Sequence, residues 1–120
     1  GHEHHYGTQV TVSTAPSPTG TMTEVYNPMP FQWAEPETKT FSTPFSIPVG
    51  GGLDMTCSWV NTGTATAKFG ESATDEMCFF WAYYYPSQGS KVCIHTEQIP
   101  GGYNACCPGD SACSRISQQG

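Results

Sequence analysis

Glycine and proline interrupt this chain so often that its apolar residues are left in short runs. Pro16, Pro18 and Gly20 close the first run, and Pro36, Pro44 and Pro48 break the middle of the chain. Gly50-Gly51-Gly52, Gly63 and Pro86 divide the C-terminal half. Short alternating runs bounded by turn residues suit half-buried strands. Gln9-Val10-Thr11-Val12-Ser13 alternates polar with β-branched residues and is expected to be a strand, with a weaker one over 21–26. Residues 31–33 and 40–47 are short aromatic strand candidates. A strand over 53–60 would place Leu53, Met55, Cys57 and Trp59 on one face, with a turn over 61–66 and a last strand over 91–95. The densest apolar stretch, 75–85, is centred on Met77-Cys78-Phe79-Phe80-Trp81. It reads as a central strand covered on both faces, although periodicity does not separate that from a buried helix. Leu53 is the single leucine, against 15 threonines, so an all-α fold is excluded. The expected fold is all-β: an antiparallel, jelly-roll-like, disulfide-stapled β-sandwich over 1–100, followed by an irregular Cys-rich tail over 101–120.

Charge narrows the partners. Lys39, Lys68, Lys91 and Arg115 stand against 10 acidic residues, for a net charge of −6. A chain with so few cations has little with which to neutralise phosphates, so neither nucleic acid nor an anionic membrane surface is an expected partner. No apolar run has the length of a membrane span or of a signal-peptide core. The 6 cysteines, Cys57, Cys78, Cys93, Cys106, Cys107 and Cys113, point to an oxidising compartment and a secreted protein. No Cys-x-x-Cys pair suggests a zinc site, and the spacings leave the pairing open.

Chemistry concentrates in two places. His2-Glu3-His4 is a His-x-His pair, and on extended backbone residues i and i+2 point to the same side, so both imidazoles can reach one metal ion. Imidazole serves zinc, copper, nickel and iron alike, so the pair does not name the metal. Glu3 would then point away from its neighbours into solvent. His5 reads as an exposed histidine beside the strand, and His95 as a structural or surface one. The second place is Lys68-Phe69-Gly70-Glu71-Ser72-Ala73-Thr74-Asp75-Glu76-Met77-Cys78, followed by Tyr84-Tyr85-Pro86. Asp75 and Glu76 are expected to hydrogen-bond the turn before Met77.

Taken with His2-Glu3-His4-His5-Tyr6-Gly7 and Cys57-Ser58-Trp59-Val60-Asn61-Thr62, this segment resembles the second catalytic domain of the copper type II, ascorbate-dependent monooxygenases. Peptidylglycine α-hydroxylating monooxygenase and dopamine β-monooxygenase are the familiar members. The resemblance covers about residues 2–93. It implies that His2 and His4 are imidazole ligands, that Met77 is a thioether ligand, and that Cys57 is bridged to Cys78. It implies one copper ion cycling between Cu(I) and Cu(II), dioxygen as co-substrate, ascorbate as reductant, and hydroxylation of an activated C–H bond. A thioether beside two imidazoles favours Cu(I) over zinc. An upstream three-histidine copper domain, and further strands before His2, would complete such an enzyme. On this pattern Cys93 pairs with one of Cys106, Cys107 or Cys113. Phe79, Phe80 and Trp81 stand where the peptidylglycine enzyme carries Asn and Tyr, so amidation of glycine-extended peptides is not expected and the substrate stays open. Two other readings keep fewer of these implications. One is a stand-alone copper-binding module for capture or delivery, and the other a stapled structural domain in which Met77 only fills the core.

Overall fold

Val10 and Val12 set the position of the core. They are 0 % and 5 % exposed and, with Phe31, form the buried apolar set among the described residues. The computed structural model describes residues 1–96 and 103–108, the last two of the first range and all of the second as backbone. Residues 1–81 and 82–120 form separate compact units. In the first, the β-branched alternation around Val10 and Val12 builds β1 (Gly7–Ala15). It is flanked by β2 (Thr23–Tyr26) and β3 (Gly52–Trp59) in an antiparallel sheet of order β2-β1-β3. Directly opposed residues of an antiparallel pair share a face. The register Val10↔Cys57, Val12↔Met55 and Thr14↔Leu53 therefore lays the half-buried side of β3 beside the two valines. Trp59, at the end of β3, is exposed. The register slips between Gly7 and Gln9, where Thr8 is the extra residue and its hydroxyl donates to the Ser58 carbonyl at 2.8 Å. Gly50 enters β3 through a turn at φ 85°, a left-handed backbone that glycine adopts without a Cβ penalty.

Two of the expected strands are absent. Residues 31–33 and 40–47 are irregular, because the prolines between 28 and 48 remove the backbone donors that a ladder needs. Phe31 is buried singly, while Phe41 and Phe45 meet edge to face at 5.1 Å with the Lys39 ammonium 5.3 Å above the Phe41 ring. The stretch 75–85 is not a central strand either. Its pairing is confined to single bridges at Glu76 and Phe79, and Trp81, Tyr83 and Tyr85 are exposed. Apolar density reports a side-chain type but not whether strands lie on both sides to cover it. Residues 61–66 do turn: the Asn61 side chain accepts from the Gly63 amide at 2.9 Å and donates to the Ala65 carbonyl at 2.8 Å.

The second unit holds β4 (Lys91–Thr96) and β5 (Tyr103–Pro108), paired antiparallel. β4 stands where the sequence places a strand. β5 corrects the expectation of a wholly irregular tail, since its backbone supplies the partner that β4 needs. The end of the sandwich expected at Pro100-Gly101-Gly102 lies outside the described residues. No helix occurs among the described residues, so the all-β class holds. Their strands make one three-stranded sheet and one two-stranded ribbon.

The Cys57–Cys78 disulfide is formed, with Cα atoms 5.9 Å apart. It joins β3 to the segment after Met77, and Cys78 Sγ lies 3.8 Å from Met55 Sδ. Cys93 is also disulfide-bonded. Which of Cys106, Cys107 or Cys113 it joins lies outside the described side chains.

Candidate metal centre

His2, Glu3 and His4 lie on extended backbone just before β1, not within a named strand. His2 forms an antiparallel bridge with Phe79, its amide donating to the Phe79 carbonyl at 2.7 Å and its carbonyl accepting from the Phe79 amide at 3.0 Å. The chain then turns over His5 and Tyr6, closed by the Gly7 amide on the His4 carbonyl at 2.9 Å.

The turn is held by Glu76. Its buried carboxylate accepts from the His4 amide at 3.1 Å and from the Tyr6 amide at 2.9 Å. A sheet would have satisfied those two donors with carbonyls; here one side chain does so and ties the histidine segment to the segment carrying Met77. Backbone bonds hold Glu76 in turn, its amide donating to the Lys68 carbonyl at 2.8 Å. The expectation that Asp75 and Glu76 serve only their own turn is thus corrected for Glu76. Its carboxylate works on residues about seventy positions away, a partner that no local spacing reveals.

The imidazoles of His2 and His4 meet at 5.1 Å between centroids, nearly perpendicular. A ring nitrogen about 2 Å from a metal puts the ring centroid roughly 3.2 Å from it, so two imidazoles at about a tetrahedral angle on one ion stand about 5 Å apart. The pair fits. His4 is buried, and its Nδ1–H donates to the Asp75 carbonyl at 3.0 Å. A carbonyl can only accept, so the proton sits on Nδ1 and the Nε2 lone pair is left for a metal. Burial, then the neighbouring His4, pushes the His2 pKa below its ordinary value, which favours the neutral ligand form.

Met77 is half-buried, two residues before the bridge partner of His2. It lines an open cavity of about 310 Å³ with Tyr6, Trp59, Lys68 and Phe69. His5 is exposed, as expected, with Nδ1 2.7 Å from the Ala73 carbonyl and its ring against Tyr6. His95 lies on β4, its side chain outside the described residues. Among the described residues no cluster of three His, Cys, Asp or Glu side chains forms a metal site.

A family model described as copper type II ascorbate-dependent monooxygenase, C-terminal domain, matches residues 1–103. The chain belongs to this family. Neither a curated protein nor a solved structure matches it significantly. The family carries copper and ascorbate dependence in its description, and imidazole is a donor that suits copper.

Glu3 overturns the expectation of a solvated side chain. It is 0 % exposed, and neither carboxylate oxygen has a hydrogen-bond partner. The side chain folds against Gly7, where any Cβ would collide with it. Burial pushes its pKa up to about 7; the Ser58, Gln9 and Thr8 amides pull the other way without closing a bond of good geometry, and Glu76 adds to the rise. A carboxyl whose folded pKa is raised contributes stability below its unfolded value of 4.5 and loses it as pH rises through about 7. Urea unfolding of the copper-free chain should show a decline on the order of 3 kcal/mol across that window. In Glu3→Gln the decline should be absent. A decline of the same size in that variant would assign it to other groups.

Proposed function

We propose that His2, His4 and Met77 hold one copper ion, and that this domain is the oxygen-activating half of an extracytoplasmic monooxygenase. Copper held there would supply activation of dioxygen for hydroxylation of an activated C–H bond, with ascorbate as the reductant. An upstream three-histidine copper domain is the partner this reading requires. The observation that carries it is the His2–His4 pair, with His4 fixed by the Asp75 carbonyl so that Nε2 stays free. Met77 is supported by its place in the chain, two residues before Phe79, the bridge partner of His2. A thioether makes the donor set soft enough for Cu(I). The residues have separate tasks: His2 and His4 bind as neutral imidazoles, Asp75 holds the proton on His4 Nδ1, and Glu76 orients the histidine turn. The disulfide supports an oxidising compartment.

X-ray absorption on the chain loaded anaerobically with one equivalent of Cu(I) tests the ligand set. Native protein should show a sulfur scatterer beside two imidazoles, and Met77→Leu should lose the sulfur while keeping both nitrogens. An unchanged spectrum in the variant would make Met77 a packing residue and remove the oxygen-activating reading.

A further inference from the structure

Glu3 stands between the two histidines, and its side chain is wholly buried with no hydrogen-bond partner on either carboxylate oxygen. A buried polar group without a partner costs stability, and folds keep such groups where function requires their placement. Extended backbone sends successive side chains to opposite sides, so Glu3 leaves the segment on the side away from His2 and His4. There it lies over Gly7, where one added carbon would overlap both the Glu3 Cβ and its carboxyl. A carboxyl can swing away, but the Cβ is fixed to its own backbone and cannot. The carboxyl faces the backbone amides of Thr8, Gln9 and Ser58, at the place where β1 and β3 slip register. The histidine segment is therefore held in two ways. Hydrogen bonds to Phe79 and to the Glu76 carboxylate tie down its backbone. The seat of Glu3 over Gly7 opposes a roll of the segment about its own axis, a motion that would swing both imidazoles together.

We infer that Glu3 and Gly7 form a lock that positions the metal centre, keeping the His2 and His4 rings directed to one ion. As a statement about copper this rests on His2 and His4 being its ligands; as a statement about the two rings it does not. Glu3 is a positioning residue, acting through the backbone of its two neighbours. Its length and shape carry the role, because the side chain makes no hydrogen bond that a substitution would remove. Gly7 is the other half of the lock, since only a residue without a Cβ leaves the room that Glu3 fills.

The test joins an NMR readout on the copper-free chain to Cu(I) affinity measured by chelator competition. In the native chain the His2 and His4 ring protons should share a nuclear Overhauser cross-peak, because the ring centroids stand 5.1 Å apart. Gly7→Ala should weaken that cross-peak and lower Cu(I) affinity about 10-fold. Glu3→Gln fills the same room, so it should keep the cross-peak and an affinity within about 2-fold of native. Glu3→Gly removes the obstructing Cβ with the rest of the side chain and should cost about 10-fold by itself. Combined with Gly7→Ala it should cost little more than either change alone, since both act on one contact, whereas independent effects would multiply to about 100-fold. A multiplied loss in the double variant overturns the lock, as does a folded Gly7→Ala protein with native cross-peak and native affinity. If Gly7→Ala does not fold, Glu3→Gly is compared with Glu3→Gln, and equal cross-peaks in the two overturn it. A native chain whose cross-peak obeys the lock but which binds no Cu(I) fails the copper reading alone, so the two failures are read separately.

Discussion

Replacing Glu76 with alanine is expected to lower the stability of the copper-free chain by about 4 kcal/mol and to weaken Cu(I) binding by about 10- to 100-fold. Each oxygen of this buried carboxylate accepts a backbone N–H, from His4 at 3.1 Å and from Tyr6 at 2.9 Å. Hydrogen bonds to a charged acceptor contribute about 1.5 to 3 kcal/mol each, and their loss strands two donors inside the protein. The copper effect has its origin in the same bonds. His4 carries its ring on the backbone that Glu76 fixes, and its Nδ1 reaches the carbonyl of Asp75, the residue before Glu76. Once the amides are released, the ring loses the registration that keeps it beside the His2 ring. Glu76→Gln retains one acceptor and turns an amide N–H₂ toward the other donor, so it should fall between the native chain and alanine. Urea unfolding gives the first quantity and competition with a Cu(I) chelator the second. A Glu76→Ala protein within about 1 kcal/mol of native would mean that water replaces the carboxylate and that the clamp does not organise the site.

The parts of this molecule that were legible in its sequence are those fixed by local period. β1 and β3 arise from alternation with β-branched and apolar residues, and the two imidazoles meet because extended backbone returns side chains to one side every second residue. The family resemblance located the Cys57–Cys78 bridge, which spacing left open. What the sequence concealed depends on partners distant along the chain. Residues 75–85 looked central because they are apolar, but a strand becomes central only when others flank it, and Phe79 meets only a single bridge to His2. Glu3 and Glu76 both read as solvated or locally bonded carboxylates, and both are buried. The only sequence trace of Glu76's role is its place beside Met77. The trace for Glu3 is Gly7, whose missing side chain makes the room that Glu3 fills. The tail strand β5 was hidden for the same reason as the bridge, since it forms by pairing with β4 and not by its own pattern.

The double substitution Cys57→Ser, Cys78→Ser is expected to cost about 3 kcal/mol, close to the loop-closure entropy for a bridge spanning 21 residues. Its effect on copper should differ in kind from that of Glu76→Ala. The disulfide fastens Cys78 to β3 at the residue opposite Val10, so it anchors the Met77 segment to the sheet. The histidine segment is held to that same Met77 segment independently, by the His2–Phe79 bridge and the Glu76 carboxylate. Losing the disulfide therefore loosens the site from the sheet while leaving its two halves joined. Cu(I) affinity should fall less than about 10-fold in folded protein, while the urea midpoint drops substantially. The double variant is preferable to chemical reduction, which would also open the bond at Cys93. A loss of copper affinity as large as that in Glu76→Ala would show that the sheet, and not the carboxylate clamp, sets the distance between the imidazoles and Met77. Equal urea midpoints with and without the bridge would show that the loop it closes is already held in the unfolded chain.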